Sequence, residues 1–262
     1  MQSISAKKHL GQHFLKDDDI AEQIVNSLNP NGRYKRVLEI GPGMGVLSKF
    51  LFERKDYNTT LIEIDKEAIS YLKIHFPGRI PQLIEGDFLA LNLRKLFNEP
   101  FAIIGNFPYN ISTQILFKIL ENRELVPECV GMFQKEVAER IASGPGNKEY
   151  GILSVYMQAY YNVELLFVLN QNDFSPPPKV KSAVLRFERK ENFSLGADEK
   201  AFFRTVKAAF NQRRKMLRNA LSSLMNENAI ASVPYLDKRA ETLSWLQFVE
   251  LTNSITEANK QQ

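Results

Sequence analysis

One stretch of the chain decides the predicted fold: Phe101-Ala102-Ile103-Ile104-Gly105-Asn106-Phe107-Pro108-Tyr109. Its first five residues are a short apolar run, which predicts a buried strand of an α/β sheet. The tetrapeptide Asn106-Phe107-Pro108-Tyr109 then forms the loop at the carboxyl end of that strand. Because open α/β sheets bind their ligands at this edge, the tetrapeptide is the first candidate site.

The chemistry of this tetrapeptide suits a flat aromatic substrate that carries an amino group. The side-chain oxygen of Asn106 and the carbonyl of Pro108 can both accept hydrogen bonds, and proline has no N–H of its own. The ring of Tyr109 offers a surface on which a base can stack. The alternative is a proline turn that caps the strand, with Tyr109 merely packed against the protein.

A glycine-rich turn lies upstream of this stretch. Residues 36–40 predict a strand, and Gly41-Pro42-Gly43-Met44-Gly45 leads it into a helix that begins near Val46. Glycines at such a turn let the backbone approach a ligand closely, and the start of the helix offers free N–H groups. The pattern is G-x-G-x-G and not the dinucleotide fingerprint G-x-G-x-x-G, since Val46 occupies the sixth position.

Two further predicted strands end in acidic residues. Glu63 closes residues 59–64, about twenty residues past the glycines, where an acid can hold ribose hydroxyls. Asp65 is expected to be the N-cap of the helix over residues 66–75. At the tip of residues 83–88, Asp87 is placed to accept a hydrogen bond from an adenine amino group, although a turn aspartate is the alternative. Together these ends predict a sheet built around an adenosine-containing ligand.

The segment Asp173-Phe174-Ser175-Pro176-Pro177-Pro178 is extended by its prolines and leads into a last strand over residues 182–187. Phe174 has two interpretations, a core anchor or the second face of a base sandwich opposite Tyr109. From Asp198 onward the pattern predicts helices and no strand. We therefore expect a first domain over residues 1–192 and a small all-helical domain over residues 193–262.

The composition is that of a folded protein with 262 residues and a formal net charge of +4. Basic residues gather in two places, at the start of the chain and on a predicted long helix after residue 200. Binding to the phosphates of a nucleic acid would explain both clusters, and solvated helix faces are the alternative. The candidates are Lys7, Lys8, Lys207, Arg213, Arg214 and Arg218.

Several classes of protein are disfavoured by what the sequence lacks. It has no apolar run long enough to cross a bilayer, and residues 1–5 carry no signal-peptide pattern, so we expect a cytoplasmic protein. The single Cys129 excludes an internal disulfide and the cysteine-clustered zinc sites of base deaminases. With only three dispersed histidines, we expect no metal site.

Seven ordered motifs resemble those of a known family, the ribosomal RNA adenine dimethyltransferases, and within it the bacterial enzymes that act on small-subunit (16S) RNA. The resemblance extends from about residue 7 to residue 224 and implies a Rossmann-like sheet with S-adenosylmethionine as the methyl donor. It also implies a C-terminal helical domain, a small-subunit RNA substrate and, we expect, a monomer. The motifs are His9–Leu15, Glu39–Gly45, Ile62–Asp65, Gly86–Phe88, Asn106–Ser112, Gln134–Val137 and Phe174–Val184.

The resemblance also implies roles for individual residues. His13 and Leu15 would line the methionine end of the donor with Gly41 and Gly43 beside it, Glu63 would hold the ribose, and Asp87 the adenine. Asn106 would border the reactive centre. This sequence departs from the usual pattern at His13, where relatives often have Asn, and at Phe107, where Leu is common. The residues that the resemblance places at the reaction itself are Asn106, Phe107, Pro108, Tyr109 and Phe174.

Two other functions remain open at this point. One is the erythromycin-resistance type of enzyme, which methylates large-subunit (23S) RNA; the lead-in Gly11–Leu15 and the complete segment Pro176–Val184 favour the small-subunit type. The other is a non-catalytic, RNA-binding ribosome-assembly factor on a methyltransferase fold. The intact Glu63, Asp87 and Asn106–Tyr109 argue against a loss of catalysis.

Overall fold

A computed structural model describes residues 5–226 and 232–260 of the chain. Residues 1–4, on which the signal-peptide interpretation partly depends, lie outside this range, as does the end of the predicted second domain. In the described residues the strands are β1 Phe14–Leu15, β2 Arg36–Ile40, β3 Asn58–Glu63, β4 Leu83–Glu85, β5 Ala102–Asn106, β6 Glu128–Gln134, β7 Tyr161–Leu169, β8 Phe174–Ser175 and β9 Ser182–Arg189.

Seven of these strands form one mixed sheet in the order β4-β3-β2-β5-β6-β9-β7. Strands β2 to β6 pair in parallel, and β9 pairs antiparallel with β6. Because β2, β5 and β6 lie inside the sheet with both faces covered, they consist of continuous apolar runs rather than alternating ones. The predicted α/β, Rossmann-like sheet is therefore confirmed.

The helices alternate with the parallel strands, as crossover connections require. The N-cap predicted from the sequence is in place, since Asp65 accepts a backbone N–H group at the start of the helix Lys66–His75, and Asp17 caps the helix Asp18–Asn26 in the same way. None of the described helices is long and apolar enough to span a bilayer. The helices are α1 Asp18–Asn26, α2 Val46–Glu53, α3 Lys66–His75, α4 Leu93–Leu96, α5 Ser112–Glu121, α6 Lys135–Ala142, α7 Ile152–Tyr160, α8 Glu199–Asn211, α9 Leu217–Ala220 and α10 Trp245–Ala258.

A short two-stranded ribbon lies apart from the main sheet. Strand β1 pairs antiparallel with β8, so that Leu15 lies opposite Phe174 and Phe14 opposite Ser175. Leu15 and Phe174 both belong to the hydrophobic core. This pairing brings the N-terminal lead-in against the proline-rich segment, although about 160 residues separate them in sequence.

The contacts within the chain divide it into two compact units. The first contains the described residues up to Ala138 together with Glu164–Arg189, and the second contains Glu139–Val163 and the described residues from Lys190 onward. The segment Glu139–Val163 therefore groups with the C-terminal helices, whereas the sequence analysis assigns it to the first domain. An amphipathic helix does not reveal in its sequence which of two cores it covers. The functional domain bounds at residues 192 and 193 stay a prediction.

The predicted long helix after residue 200 is wrong in one respect, because it is broken. Helix α8 ends at Asn211, and α9 begins only at Leu217. The intervening residues 212–216 include three cations in a row and no residue that is buried. At the start of α9 the backbone N–H groups of Leu217 and Arg218 donate to the carbonyls of Lys238 and Leu236. These bonds fix a new helix start, which local sequence does not encode.

Candidate active site

The order of the strands in the sheet determines where a ligand site is expected. The chain crosses from β2 to β3 and β4 on one side, then returns to β5 on the other side of β2, so the sheet has its switch point between β2 and β5. A cleft of about 1000 Å³, including its open mouth, lies at the carboxyl ends of these strands. The predicted site residues that line it are His13, Gly41, Gly43, Glu63, Asp87, Asn106, Phe107, Pro108 and Tyr109.

Glu63 is held rigidly at the end of β3. Its Oε1 accepts the N–H groups of Ile64 and Asp65, both at 2.9 Å, and its Oε2 accepts the N–H of Gly43 at 3.0 Å. Burial raises the pKa of this carboxyl group, and the three backbone hydrogen bonds act in the opposite direction. Two carboxylate oxygens offer about four acceptor positions, so one remains for a ligand hydroxyl.

The glycine turn fits closely around the cleft. Gly43 has a φ of 56°, in the left-handed region, and a Cβ placed there would lie 2.8 Å from the Phe14 ring. A Cβ on Gly41 would meet nothing within 4 Å, because that position faces open space. The turn therefore needs glycine at residue 43 for both its backbone and its packing, and it presents bare backbone to the cleft at residue 41.

Asp65 caps α3, as predicted, and it also makes two further hydrogen bonds. Its carboxylate also accepts hydrogen bonds from Lys7 Nζ at 2.5 Å and from Gln12 Nε2 at 2.8 Å. Burial would raise the pKa of Asp65, but these bonds outweigh it and lower that pKa. Lys7 also pairs with Glu67 at 3.1 Å. Lys7 thus fastens the lead-in beside the cleft, and its role in RNA binding stays a prediction.

Asp87 lines the cleft directly after β4, whereas Asn106–Tyr109 line it directly after β5. Its Oδ1 accepts the N–H of Leu89 at 2.8 Å and caps a short 3₁₀ turn, Phe88–Ala90. Asp87 therefore has the turn role that was the alternative interpretation of its position. The carboxylate is nevertheless exposed to the cleft, and its second oxygen has no hydrogen bond from the described protein residues. Asp87 therefore combines a turn role with a free acceptor.

The side chain of Asn106 has a defined orientation. Its Nδ2 donates to the backbone carbonyl of His13 at 2.7 Å. Since a carbonyl can only accept, the amide nitrogen must face His13, and the Oδ1 must face the other way. Asn106 lines both this cleft and a smaller cavity next to it, and its Oδ1 is the side-chain atom left as a hydrogen-bond acceptor. The Pro108 carbonyl also keeps an acceptor position, because it receives one N–H, that of Ile111 at 3.1 Å.

Tyr109 is fixed at both its hydroxyl and its ring. The hydroxyl shares a 2.5 Å hydrogen bond with Ser182 Oγ, and the ring stacks with His13 at 5.6 Å between centroids. His13 in turn donates from Nδ1 to the Pro176 carbonyl at 2.8 Å. Burial raises the pKa of Tyr109, with the Ser182 bond acting against it. The ring is therefore a neutral, oriented platform, and Ser182 is a participant that the sequence alone did not reveal.

Three predicted site residues are mainly core residues. Phe107 is 1% exposed and packs its ring against Gly131, where an added Cβ would come within 2.3 Å of Phe107 Cε2. Phe174 is also 1% exposed, so the core-anchor interpretation describes it, and its ring is not presented to the cleft. Leu15 is buried as well and borders a small second cavity beside Gly41 and Asn106. These large apolar side chains therefore pack in the core and support the Asn106–Tyr109 loop.

The remaining candidates for RNA binding differ in solvent exposure and in their contacts with the protein. In the first unit, Lys8 is exposed in a 3₁₀ turn. In the second unit Lys207, Arg214 and Arg218 are exposed, whereas Arg213 donates to the Lys148 carbonyl and approaches Glu241 at 3.9 Å. Among the described residues there is no group of three or more His, Cys, Asp or Glu side chains arranged to hold a metal ion.

The cleft residues fit S-adenosylmethionine, group by group. The open position at Gly41 admits a ligand against the backbone, the remaining acceptor of Glu63 suits a ribose hydroxyl, and the free oxygen of Asp87 suits an adenine amino group. Asn106 lines the same cleft, and its Oδ1 suits a second amine. A Rossmann-like sheet with these acceptors at its switch point is suited to an adenosine-containing ligand, the class to which S-adenosylmethionine, the donor of methyltransferases, belongs.

Comparison with known proteins narrows the class to a family. The sequence model of the family described as "Ribosomal RNA adenine dimethylase" matches residues 3–257, and the chain belongs to this family. The "Ribosomal RNA small subunit methyltransferase A" of Cytophaga hutchinsonii is 55% identical over 256 residues, which cover 98% of this chain and 99% of that protein.

Two solved structures are similar in fold. The dimethyladenosine transferase from Plasmodium falciparum has a TM-score of 0.79 and 25% identity, with 94% of this chain and 98% of that one covered. The 23S rRNA methyltransferase ErmE has a TM-score of 0.70 and 24% identity, with coverages of 93% and 99%. Since a dimethyladenosine transferase and a 23S rRNA methyltransferase share this fold, the fold alone does not identify the RNA substrate.

Proposed function

We propose that this chain transfers methyl groups from S-adenosylmethionine to the exocyclic N6 of adenosines in small-subunit (16S) RNA. The product is N6,N6-dimethyladenosine, formed during ribosome assembly. The observation that carries the proposal is Asn106, which lines the donor cleft beside Tyr109 and whose NH2 group is held by the His13 carbonyl, so that its oxygen is left as an acceptor. The choice of small-subunit RNA is supported by the name of the 55% identical relative.

In this proposal the donor lies along the carboxyl edge of β2, β3 and β4. Glu63 accepts a ribose hydroxyl, Asp87 accepts the adenine amino group, and His13, Gly41 and Gly43 border the methionine end. Leu15 contributes there through the β1–β8 ribbon, which begins directly after His13. When bound, S-adenosylmethionine supplies an electrophilic methyl group on a positively charged sulfur, so the protein's task is mainly to position a nucleophile.

The catalytic loop positions that nucleophile. An adenine amine is a poor nucleophile because its lone pair is delocalised into the ring. Hydrogen bonds from its two N–H groups to Asn106 Oδ1 and to the Pro108 carbonyl favour a tetrahedral nitrogen with a localised lone pair. Tyr109 stacks on the base and holds it out of its RNA stack, at a cost of a few kcal/mol for unstacking. Phe107 and Phe174 keep the loop in place from the core.

The second methylation has a simple requirement. Monomethyladenine has one N–H left, so only one of the two acceptors, Asn106 or Pro108, can be used in the second round. The base must also rotate its methyl group away from the donor. Because Pro108 O already receives the Ile111 N–H and Asn106 Oδ1 is committed to no protein donor among the described residues, Asn106 is the better second-round acceptor.

The RNA outside the target base is bound through phosphates. Lys8, Lys207, Arg214 and Arg218 are exposed and suit this purpose, and Arg213 retains a smaller part. The reaction needs no Lewis acid, since the sulfonium is already a strong electrophile. We further propose that the protein is a monomer and acts in the cytoplasm, where ribosomal precursors assemble.

Purified protein, S-adenosylmethionine and undermethylated bacterial ribosomal subunits test the proposal directly. Nucleosides from each subunit's RNA are separated and quantified by mass spectrometry. We expect dimethyladenosine in small-subunit RNA alone. Dimethyladenosine in large-subunit RNA would instead identify the erythromycin-resistance type of enzyme. Tight binding to the subunits without methylation would indicate a non-catalytic assembly factor.

A further inference from the structure

One lysine contacts a segment that borders the cleft without lining the cleft itself. Lys118 lies on α5, the helix that follows the catalytic loop. Its Nζ donates to the backbone carbonyls of Leu89 and Leu91, both at 2.6 Å, and lies 5.5 Å from the centre of the Phe88 ring. Phe88 and Leu89 line the cleft next to Asp87, whereas Lys118 does not.

A single residue connects this lysine to the proposed adenine acceptor. The carbonyl of Leu89 accepts from Lys118, and the N–H of the same residue donates to Asp87 Oδ1 at 2.8 Å. Any movement of the Phe88–Ala90 turn would therefore carry the Asp87 carboxylate with it. The turn is only three residues long, and such short turns have poor internal hydrogen bonding.

Partial burial of the Lys118 ammonium group costs free energy unless the group is hydrogen-bonded. Burial lowers its pKa, and the negative charges of Glu121 and Asp87 oppose that effect. A half-buried ammonium group must find hydrogen-bond acceptors, and here both acceptors come from the one segment that follows β4. An ordinary surface lysine would keep its charged end in water, as Lys95 on α4 does.

We propose that Lys118 is a positioning residue that makes the donor site selective for adenine. It holds the Phe88–Leu91 segment against α5, so that Asp87 Oδ2 stays where an exocyclic amino group can reach it. This inference rests on the proposed function, in particular on adenine recognition by Asp87. It adds a determinant outside the cleft, on the helix that also begins three residues after Tyr109.

Selectivity for the base is a sharper readout than activity. S-adenosylhomocysteine and S-inosylhomocysteine differ at the base, where a carbonyl replaces the amino group and would face the Asp87 carboxylate. Titration calorimetry with the full-length protein gives both dissociation constants and their ratio. Sites that hydrogen-bond a substrate N–H reject analogues that lack it, and for an exposed acceptor we expect a ratio of at least about tenfold.

Four variants make the experiment specific. Lys118→Met should reduce the ratio to about threefold or less, towards the value of Asp87→Ala, because the acceptor is no longer held. Lys118→Arg should restore most of it, since a guanidinium group can donate to two carbonyls. Lys95→Met, on the neighbouring α4, is the matched control and should keep the full ratio. RNA affinity should not change in Lys118→Met.

The outcomes separate the two claims. If the unsubstituted protein does not bind S-adenosylhomocysteine, the proposed donor site itself is wrong. If it binds and discriminates but Lys118→Met keeps the full ratio, only the inference about Lys118 is overturned, whatever happens to stability. A ratio near one in the unsubstituted protein would overturn the inference as well, because Asp87 would then not recognise the base.

Discussion

The replacement Glu63→Gln tests the donor site most directly. The two carboxylate oxygens accept three backbone N–H groups, two on Oε1 and one on Oε2. An amide has only one oxygen, so its NH2 must face an N–H donor in either orientation. The less damaging orientation keeps Ile64 and Asp65 bonded and turns the NH2 towards Gly43.

The size of the effect follows from these contacts. Loss of the Gly43 bond removes one hydrogen bond to a charged group, worth about 1.5–3 kcal/mol, and leaves a buried N–H unpaired. The glutamine side chain is neutral, so the variant no longer buries a charge, and this offsets part of the loss in stability. The cost of burying that charge is visible in Glu63, whose pKa is raised by burial. Donor binding has no such compensation, because the ribose acceptor and the Gly43 backbone are both altered. We therefore expect a 10- to 100-fold weaker affinity for S-adenosylhomocysteine, equivalent to about 1.4–3 kcal/mol.

Calorimetric titration and thermal unfolding measure the two effects separately. The melting temperature should fall by only a few degrees, at about 2–4 °C per kcal/mol for a chain of this size. Glu85→Gln is the control, because Glu85 ends the next strand and its exposed carboxylate pairs with Lys73 at the surface. If Glu63→Gln melted earlier but bound S-adenosylhomocysteine as tightly as the control, Glu63 would be a structural brace for the glycine turn and not the ribose acceptor.

Three further predictions concern the base, the RNA and pH. Tyr109→Ala should lower methyl transfer roughly 10- to 100-fold, from the 1–3 kcal/mol of a stacked base, and leave S-adenosylhomocysteine affinity almost unchanged; equal losses in both would mean a structural tyrosine. The double variant Arg214→Gln/Arg218→Gln should bind RNA more weakly, and the slope of log affinity against log salt concentration should fall by about one to two. Arg213→Gln should have a smaller effect. An unchanged slope in the double variant would exclude Arg214 and Arg218 from the interface. Burial raises the pKa of Glu39 to about 8 from its ordinary 4.5, so the free energy of unfolding should fall as the pH rises from about 4.5 through 8, by at most about 5 kcal/mol. Glu39→Gln should flatten this decline in denaturant titrations, and an equally steep decline would contradict the assignment.

Local patterns predicted most of the elements around the site. The apolar runs predicted strands β2, β3 and β5 because these strands are covered on both faces. Asp65 was identified as a cap because a cap depends only on a side chain and the N–H groups just after it. The break between α8 and α9 was missed, since it depends on carbonyls of residues 236 and 238 that approach from elsewhere in the chain.

Long-range partners could not be predicted in the same way. Nothing near Lys7 in the sequence indicates that its partner is Asp65, and its charge alone suggests RNA binding. Ser182 and Tyr109 are 73 residues apart, and neither position carries a local signal of the bond between them. Phe174 could be assigned to a base sandwich or to the core on equal grounds, and only its packing opposite Leu15 decides for the core.

The sequence by itself therefore determined which chemical groups the protein has and at which strand ends they lie. It did so because strands, turns and caps arise from interactions between residues close in the chain. The tertiary structure decided how those groups are used: the Asn106 amide is turned by a carbonyl 93 residues away, and the Asp87 turn is held by a lysine on another helix. Orientation of this kind comes from hydrogen bonds that close only after the chain has folded, since burial makes each unpaired polar group costly.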